Sequence, residues 1–235
     1  MAKERVLIVG GDAAGMSAAG QARKLLPDAD IVVYERSGYS SYSACGIPYF
    51  VAGLVEPETR LVVRTPEEFL QKQNIGVHVR HEVLSIDPDG GTLLVRDLES
   101  GREFRDSWDK LLLATGASPA VPPVEGAEAE GIFTLSTLET GIAARRYVDE
   151  FRPAHAVVIG GGYIGVEMAE NLRERGLDVD LVERVDQIMP PLDREMARDL
   201  EDHLRWHGVR LHLGVAAAAF VDAVGRVRVE LVNGT

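Results

Sequence analysis

Short apolar runs recur along the chain, and two of them open the same series of signals. Residues 5–10 (RVLIVG) read as a buried strand, followed by a glycine-rich turn, a helix of small residues predicted over about 14–26, and a second strand over 31–35 (IVVYE). The order returns at 156–160 (AVVIG), with a turn, a helix to about Arg175, Gly176 where a helix stop belongs, and a strand over 179–183 (VDLVE). Two such βαβ units, separated by about one domain's worth of chain, predict an α/β fold built from two Rossmann-like dinucleotide-binding modules.

The chain between them has a different texture. Thr65-Pro66-Glu67-Glu68 combines an N-cap residue, a proline at the first helical position and acidic first-turn residues, so a short helix is expected there. Alternating stretches around 77–79, 82–86, 92–97 and 103–105, with turns at Asp89-Gly90-Gly91 and Glu99-Ser100-Gly101, predict a β-meander. Residues 110–114 (KLLLA) read as a strand returning to the first sheet, and Pro119, Pro122 and Pro123 stiffen a crossover to the second module. Farther on, Asp193 is expected to cap a helix with Met196, Leu200 and Leu204 on one face and Gly208 at its end. The tail, 227–235, reads as a strand entering an Asn233-Gly234 hairpin turn, as if the chain were the front part of a longer protein.

Composition narrows the picture. Hydrophobic residues make up 46% of the 235 and charged residues 26%, the balance of a soluble globular protein. A net charge of −12 argues against nucleic acid as a main partner, because phosphate binding needs a basic surface. The apolar runs at 6–11 and 157–162 are far too short to span a membrane, so no membrane role is expected. The opening residues lead straight into a strand with no signal peptide, which points to the cytoplasm. The single cysteine, Cys45, excludes an internal disulfide and a multi-thiolate metal site. His203 and His207 are spaced i, i+4 but lack a third ligand or a HExxH frame, so they read as surface residues and no metal is expected.

The second glycine motif, Gly160-x-Gly162-x-x-Gly165, carries the clearest chemistry. Gly160 permits the tight turn, Gly162 lets a pyrophosphate approach the backbone around Tyr163 and Ile164, and Gly165 allows close helix–strand packing. Glu183, ending the next strand, can accept a ribose 2′-hydroxyl and would repel a 2′-phosphate, favouring NADH; the adjacent Arg184 leaves NADPH open. The first motif, Gly10-Gly11-Asp12-Ala13-Ala14-Gly15, departs from this pattern. Asp12 stands where the second glycine usually sits and should hinder a close pyrophosphate unless the backbone shifts or Gly11 takes over. Glu35 still ends the second strand, suited to a ribose.

Four segments in this order carry a resemblance to a known family. Residues 10–19 (GGDAAGMSAA), 41–49 (SYSACGIPY), 114–119 (ATGASP) and 160–170 (GGGYIGVEMAE), together with 189–193 (MPPLD), are similar to those of the single-cysteine, FAD-dependent pyridine nucleotide-disulfide oxidoreductases. Within that family the chain resembles the coenzyme A-disulfide reductase and NADH oxidase/peroxidase group. The resemblance implies an FAD-binding domain over 1–118, an NAD(P)H-binding domain over 119–235, and a later FAD segment and dimerisation domain that this chain lacks. Arg36, Val83, Thr115 and Gly116 join the implied FAD contacts, and Tyr163 is implied to lie over the flavin.

Cys45 is the expected redox centre. It lies beyond a Ser/Tyr-rich loop at what reads as a helix start, where the N-terminal dipole favours a thiolate. The resemblance implies a mixed disulfide with coenzyme A, or a sulfenic acid, as its oxidised form, since both need one sulfur. Ser17, Gln21 and Lys24 fall at i, i+4 and i+7 on one helical stripe, and the resemblance maps coenzyme A contacts onto these three and Ser41; a solvated helix face is the other reading. Ala44 departs from the asparagine usual before the cysteine, removing a possible substrate hydrogen bond. The expected activity is NAD(P)H-dependent reduction of coenzyme A disulfide, coenzyme A persulfide or polysulfide by a homodimer. An NADH oxidase or peroxidase, and a redox-inert nucleotide-binding fragment, are the alternatives.

Overall fold

A computed structural model of the chain describes residues 3–223 and 226–234. The chain divides into two compact units, neither continuous in sequence. The first takes the residues up to Ala44, Thr59–Ser118 and Thr137–Glu139; the second takes Cys45–Glu58, Pro119–Ser136 and the chain from Thr140 onward.

In the first unit, β1 (Arg5–Val9), α1 (Ala13–Leu25) and β2 (Asp30–Tyr34) form the expected βαβ start. Helix α2 (Ile47–Ala52) follows in the chain but belongs to the second unit. Thr65 then caps α3 (Pro66–Gln73) through a full capping box: its hydroxyl accepts from the Glu68 amide at 3.3 Å, and Glu68 accepts from the Thr65 amide at 3.1 Å. Strands β3 (Ile75–His78) and β7 (Lys110–Leu113) complete a parallel sheet of order β3-β2-β1-β7. The antiparallel meander is β4 (His81–Asp87), β5 (Thr92–Asp97) and β6 (Glu103–Ser107). The 77–79 stretch therefore does not belong to the meander. Val77 and His78 end β3, and Arg80, with φ of +54°, turns the chain out of the parallel sheet before β4 begins.

Alternation along β1 and β2 makes the sheet a middle layer. Val6, Ile8, Ile31 and Val33 pack against Met16 and Ala19 of α1 and Phe69 of α3. Leu7, Val9, Val32 and Tyr34 point the other way, onto Leu93 and Val95 of β5. Asp106 on β6 fastens the layers, accepting from the Tyr34 hydroxyl at 2.7 Å and from Arg5 at 2.7 and 3.0 Å.

In the second unit, α4 (Leu138–Phe151, its first two residues counted with the first unit) precedes β8 (His155–Ile159), α5 (Tyr163–Glu174) and β9 (Asp178–Glu183). Helix α6 (Arg194–Trp206) leads to β10 (Val209–Leu213), and the parallel sheet runs β10-β9-β8. A hairpin of β11 (Ala217–Asp222) and β12 (Val227–Leu231) adds apolar cover, Leu231 joining Val182 and Val215. The chain then turns at Asn233-Gly234, whose Gly234 amide reaches the Leu231 carbonyl at 2.9 Å. Asp193 occupies the N-cap of α6 without a side-chain cap bond, and the helix is rotated from the expected face. Ala197, Glu201 and Leu204 are buried, whereas Met196 is 60% exposed. No helix among the described residues is long and apolar enough to cross a membrane.

Candidate functional site

The two glycine turns are built alike, each within its own unit. Gly10 and Gly160 both have φ above +100°, the region open to glycine, and each donates its amide to the last residues of the second strand: Gly10 to Tyr34 and Gly160 to Val182, both at 2.8 Å. A Cβ on Gly15 would lie 1.8 Å from the Gly10 carbonyl oxygen, and one on Gly165 would lie 1.8 Å from that of Gly160. Only glycine lets each helix approach its strand this closely. Glu35 accepts from the amides of Gly11 and Ser37, both at 2.7 Å; Glu183 accepts from Gly161 at 2.6 Å and Val185 at 2.9 Å. Each carboxylate thus lies against its glycine turn at the carboxyl end of the parallel strands. The adjacent side chains of Arg36 and Arg184 are exposed.

One further element of the turns was not anticipated from the residues. The carbonyls of Gly11 and Gly161 each accept an amide from a residue with positive φ: Ser41 (φ +50°) at 2.9 Å and Met189 (φ +48°) at 2.7 Å. Neither residue type signals that conformation, so no pattern in the sequence could have found the pair.

The turns differ at their third residue. Gly162 caps α5, and a Cβ there would meet nothing within 4 Å, so this turn opens onto space fit for a phosphate. Ala13, Ala14, Tyr163 and Ile164 line the first helical turns and are exposed, Tyr163 by 64%. Asp12 caps α1 with no side-chain cap bond, and its Oδ1 is buried without a hydrogen-bond partner. Burial pushes its carboxyl up, the Tyr42 amide opposes this, and the Glu35 charge adds to the rise. Partial burial, with the charges of Asp12 and Glu35 adding to it, pushes the Tyr42 hydroxyl up to about 12.

The Ser/Tyr-rich loop is a pinned segment. Tyr42 bridges Val62 in antiparallel fashion, the Ser43 amide reaches the Leu61 carbonyl at 2.7 Å, and the Val63 amide reaches Ser41 at 2.8 Å. Cys45 follows in the second unit, in a single 3-10 turn, Ala44–Gly46, that runs into α2. It is a free, exposed thiol. The expected helix start is thus displaced two residues beyond the cysteine, and α2 has only six residues.

Val83 and Thr115 come together in the first unit. With Val9, Leu84, Ser85, Ile86 and Leu113 they line a groove of about 290 Å³ at the carboxyl ends of β1 and β7. A β-bulge between Val83 and Ser85 turns Leu84 outward at this rim. Gly116 follows with φ of +67°. Ser17, Gln21 and Lys24 are all exposed on α1, an unobstructed stripe. His203 and His207 are exposed, their rings tilted or edge-on to each other and to Trp206 at the end of α6, and no group of three or more His, Cys, Asp or Glu among the described residues could hold a metal ion.

Comparison with known proteins meets this geometry from outside. A NAD(P)H coenzyme A polysulfide/persulfide reductase of Pyrococcus horikoshii is 40% identical over 206 residues, 87% of this chain and 45% of its own length. An NADH oxidase of Methanocaldococcus jannaschii is 35% identical over 229 residues, 97% of this chain and 50% of its own. The crystal structure of reduced Bacillus anthracis CoADR-RHD superposes with a TM-score of 0.95 at 37% identity, covering all of this chain and 42% of that one. The chain spans about half the length of the curated relatives it matches. The family model for pyridine nucleotide-disulphide oxidoreductases matches residues 4–235, and with paired glycine turns on two parallel sheets the chain belongs to that family.

Proposed function

We propose that this chain works in an FAD-dependent NAD(P)H oxidoreductase that reduces coenzyme A disulfide, coenzyme A persulfide or polysulfide through Cys45. The observation that carries the reading is the one cysteine, exposed and following a pinned loop, in a chain with two glycine turns of equal construction. The coenzyme A polysulfide/persulfide reductase of P. horikoshii supports the substrate class.

The residues divide the work as follows. Residues 1–118 would hold FAD: the Gly10–Gly15 turn and the amino end of α1 would take its diphosphate, Glu35 its ribose, and Arg36, Val83, Thr115 and Gly116 would complete its contacts. Residues 119–235 carry the nicotinamide nucleotide on the Gly160–Gly165 turn, with Glu183 accepting the ribose 2′-hydroxyl and favouring NADH. Bound FAD supplies the two-electron relay between nicotinamide and sulfur. The Cys45 thiolate attacks one sulfur of the disulfide, forming a Cys45–coenzyme A mixed disulfide and releasing one coenzyme A thiolate. Two electrons originating from NADH then restore the Cys45 thiolate and release the second. Ser17, Gln21, Lys24 and Ser41 are the coenzyme A contacts in this reading, and the whole protein is a cytoplasmic homodimer.

A second reading is favoured by the M. jannaschii relative, named an NADH oxidase: Cys45 cycles through a sulfenic acid and the acceptor is oxygen or peroxide. One set of assays tests both. The full gene product and its Cys45→Ser variant are supplied with NADH or NADPH against coenzyme A disulfide, persulfide, peroxide and oxygen. The expected outcome is disulfide or persulfide reduction with a higher kcat/KM for NADH, abolished by Cys45→Ser while flavin content and NADH binding persist. More than a small residual disulfide reduction in the variant overturns the assignment of Cys45.

A further inference from the structure

We propose that Arg145, Asp149 and Arg175, with Gly141, form a positioning clamp that sets the conformation of the Cys45 turn by fixing both ends of the short helix α2. The proposal rests on the reading of Cys45 as the redox thiol and goes beyond it, because none of these four residues belongs to a nucleotide or substrate motif. All of them lie in the same unit as Cys45 and α2.

Helix α2 needs external support. Six residues are below the length at which a helix holds itself in water. Its last carbonyls are exposed to the usual problem of helix ends, and here two guanidinium groups meet them. Arg145 donates to the Phe50 carbonyl at 2.6 Å, with its guanidinium carbon 5.5 Å from the centre of the Phe50 ring. Arg175, the C-cap residue of α5, donates to the Val51 carbonyl. Asp149 joins the two cations, accepting from Arg145 at 2.6 Å and from Arg175. Glu56, four residues beyond the end of α2, also pairs with Arg145.

The other end of α2 is held by contact rather than charge. A Cβ on Gly141 would fall 2.5 Å from Cγ2 of Ile47, the first residue of α2. Gly141, Arg145 and Asp149 are spaced i, i+4 and i+8 on α4, so one stripe of a single helix meets both the start and the finish of α2. The Cys45 turn is then the chain that enters a helix held at both ends. Arg145 and Arg175 side chains are each only 15% exposed, and Arg175 ends the helix that begins at the second glycine turn. The clamp therefore ties the cysteine turn to the helix that carries the nucleotide motif.

The test reads the thiol directly. In the FAD-loaded full gene product, reduced beforehand, the rate of Cys45 alkylation by iodoacetamide is measured from acid to alkaline pH for Gly141→Ala, Asp149→Asn, Arg145→Ala and Arg145→Lys. Flavin content, the rate of flavin bleaching by NADH and the melting temperature are followed in parallel. The expected result is at least a tenfold change in alkylation rate or a displaced pH midpoint in Gly141→Ala and Arg145→Ala. Arg145→Lys should recover part of it, with flavin content and bleaching within twofold of the parent. Should one variant fail to fold, Asp149→Asn, which loosens both arginines without adding bulk, decides the matter. An alkylation rate and midpoint unchanged within twofold in the folded variants, even with a lowered melting temperature, would reduce the clamp to ordinary structural support and overturn the proposal. Disulfide reduction surviving in Cys45→Ser would instead strike at the redox assignment and leave the alkylation result standing.

Discussion

Gly15 and Gly165 show how much one missing atom governs. A Cβ 1.8 Å from a carbonyl oxygen cannot be accommodated by a side-chain rotation, because the obstacle is backbone. Gly165→Ala is expected to force α5 away from β8, costing about 3 kcal/mol or more, and to weaken NADH binding beyond what the lost stability explains. Thermal melts with an NADH titration check both. Asp180, on β9, offers a second test. Burial pushes its carboxyl up, but hydrogen bonds from Arg210, His212 and His155 outweigh this and hold it well below the usual carboxylate range. A depressed folded-state value means the stabilisation is fully present above the unfolded carboxylate value of about 3.9 and is lost as pH falls toward the folded value. Asp180→Asn should therefore lower stability at neutral pH by about 1–3 kcal/mol and flatten the decline below about pH 4. Denaturant melts across pH read this directly. At this scale the glycines and Glu35 and Glu183 were legible from motif spacing. The positive-φ residues Ser41 and Met189 were not, because their conformation is imposed by hydrogen bonds to distant carbonyls.

Elements were legible where local and tertiary signals agree. The N-cap at Thr65, the stops at Gly176 and Gly208 and the small-residue helix α1 all stand within a residue or two of expectation, because caps and glycines act locally. Two strands escaped. Residues 217–222 (AAAFVD) form β11 although alanine is a poor strand former, the antiparallel partner β12 supplying what propensity does not. Strand β10 follows α6 so closely that its apolar residues carry no separate signal. The buried face of α6 is ambiguous in the sequence because Met196 fits an apolar stripe as well as Ala197 does, and only packing chooses between them. Met196→Lys should accordingly leave stability within about 0.5 kcal/mol, while Ala197→Leu should cost about 1–3 kcal/mol by overpacking. Paired chemical denaturation curves separate the two.

For the molecule as a whole, the α/β class and the doubled module were visible from the spacing of apolar runs. The partition into units was not. Residues 45–58 count with the second unit, where α2 packs against α5 and Arg145 and Arg175 bind its carbonyls, a tertiary preference with no local mark. Both parallel sheets end in strands that keep apolar side chains in solvent: Leu112 and Leu113 on β7 are 37% and 57% exposed, and Ile159 on β8 is 39% exposed. Such edges are templates for association. Residues 1–235 expressed by themselves should form concentration-dependent assemblies and hold flavin substoichiometrically, despite a net charge of −12 that opposes self-association. Light scattering with an absorbance spectrum tests it, and a stable monomer with one flavin per chain would refute it.

The shared construction of the glycine turns has a consequence for how the two nucleotides are told apart. Strand, turn, carboxylate and returning loop repeat so closely that they amount to one holder made twice. A feature common to both holders carries no information about which nucleotide belongs in which. In the proposed reading, discrimination falls to the few positions where the copies disagree, among them Asp12, whose Oδ1 is buried, where its counterpart has the open Gly162, and Ala13 where its counterpart has the exposed ring of Tyr163.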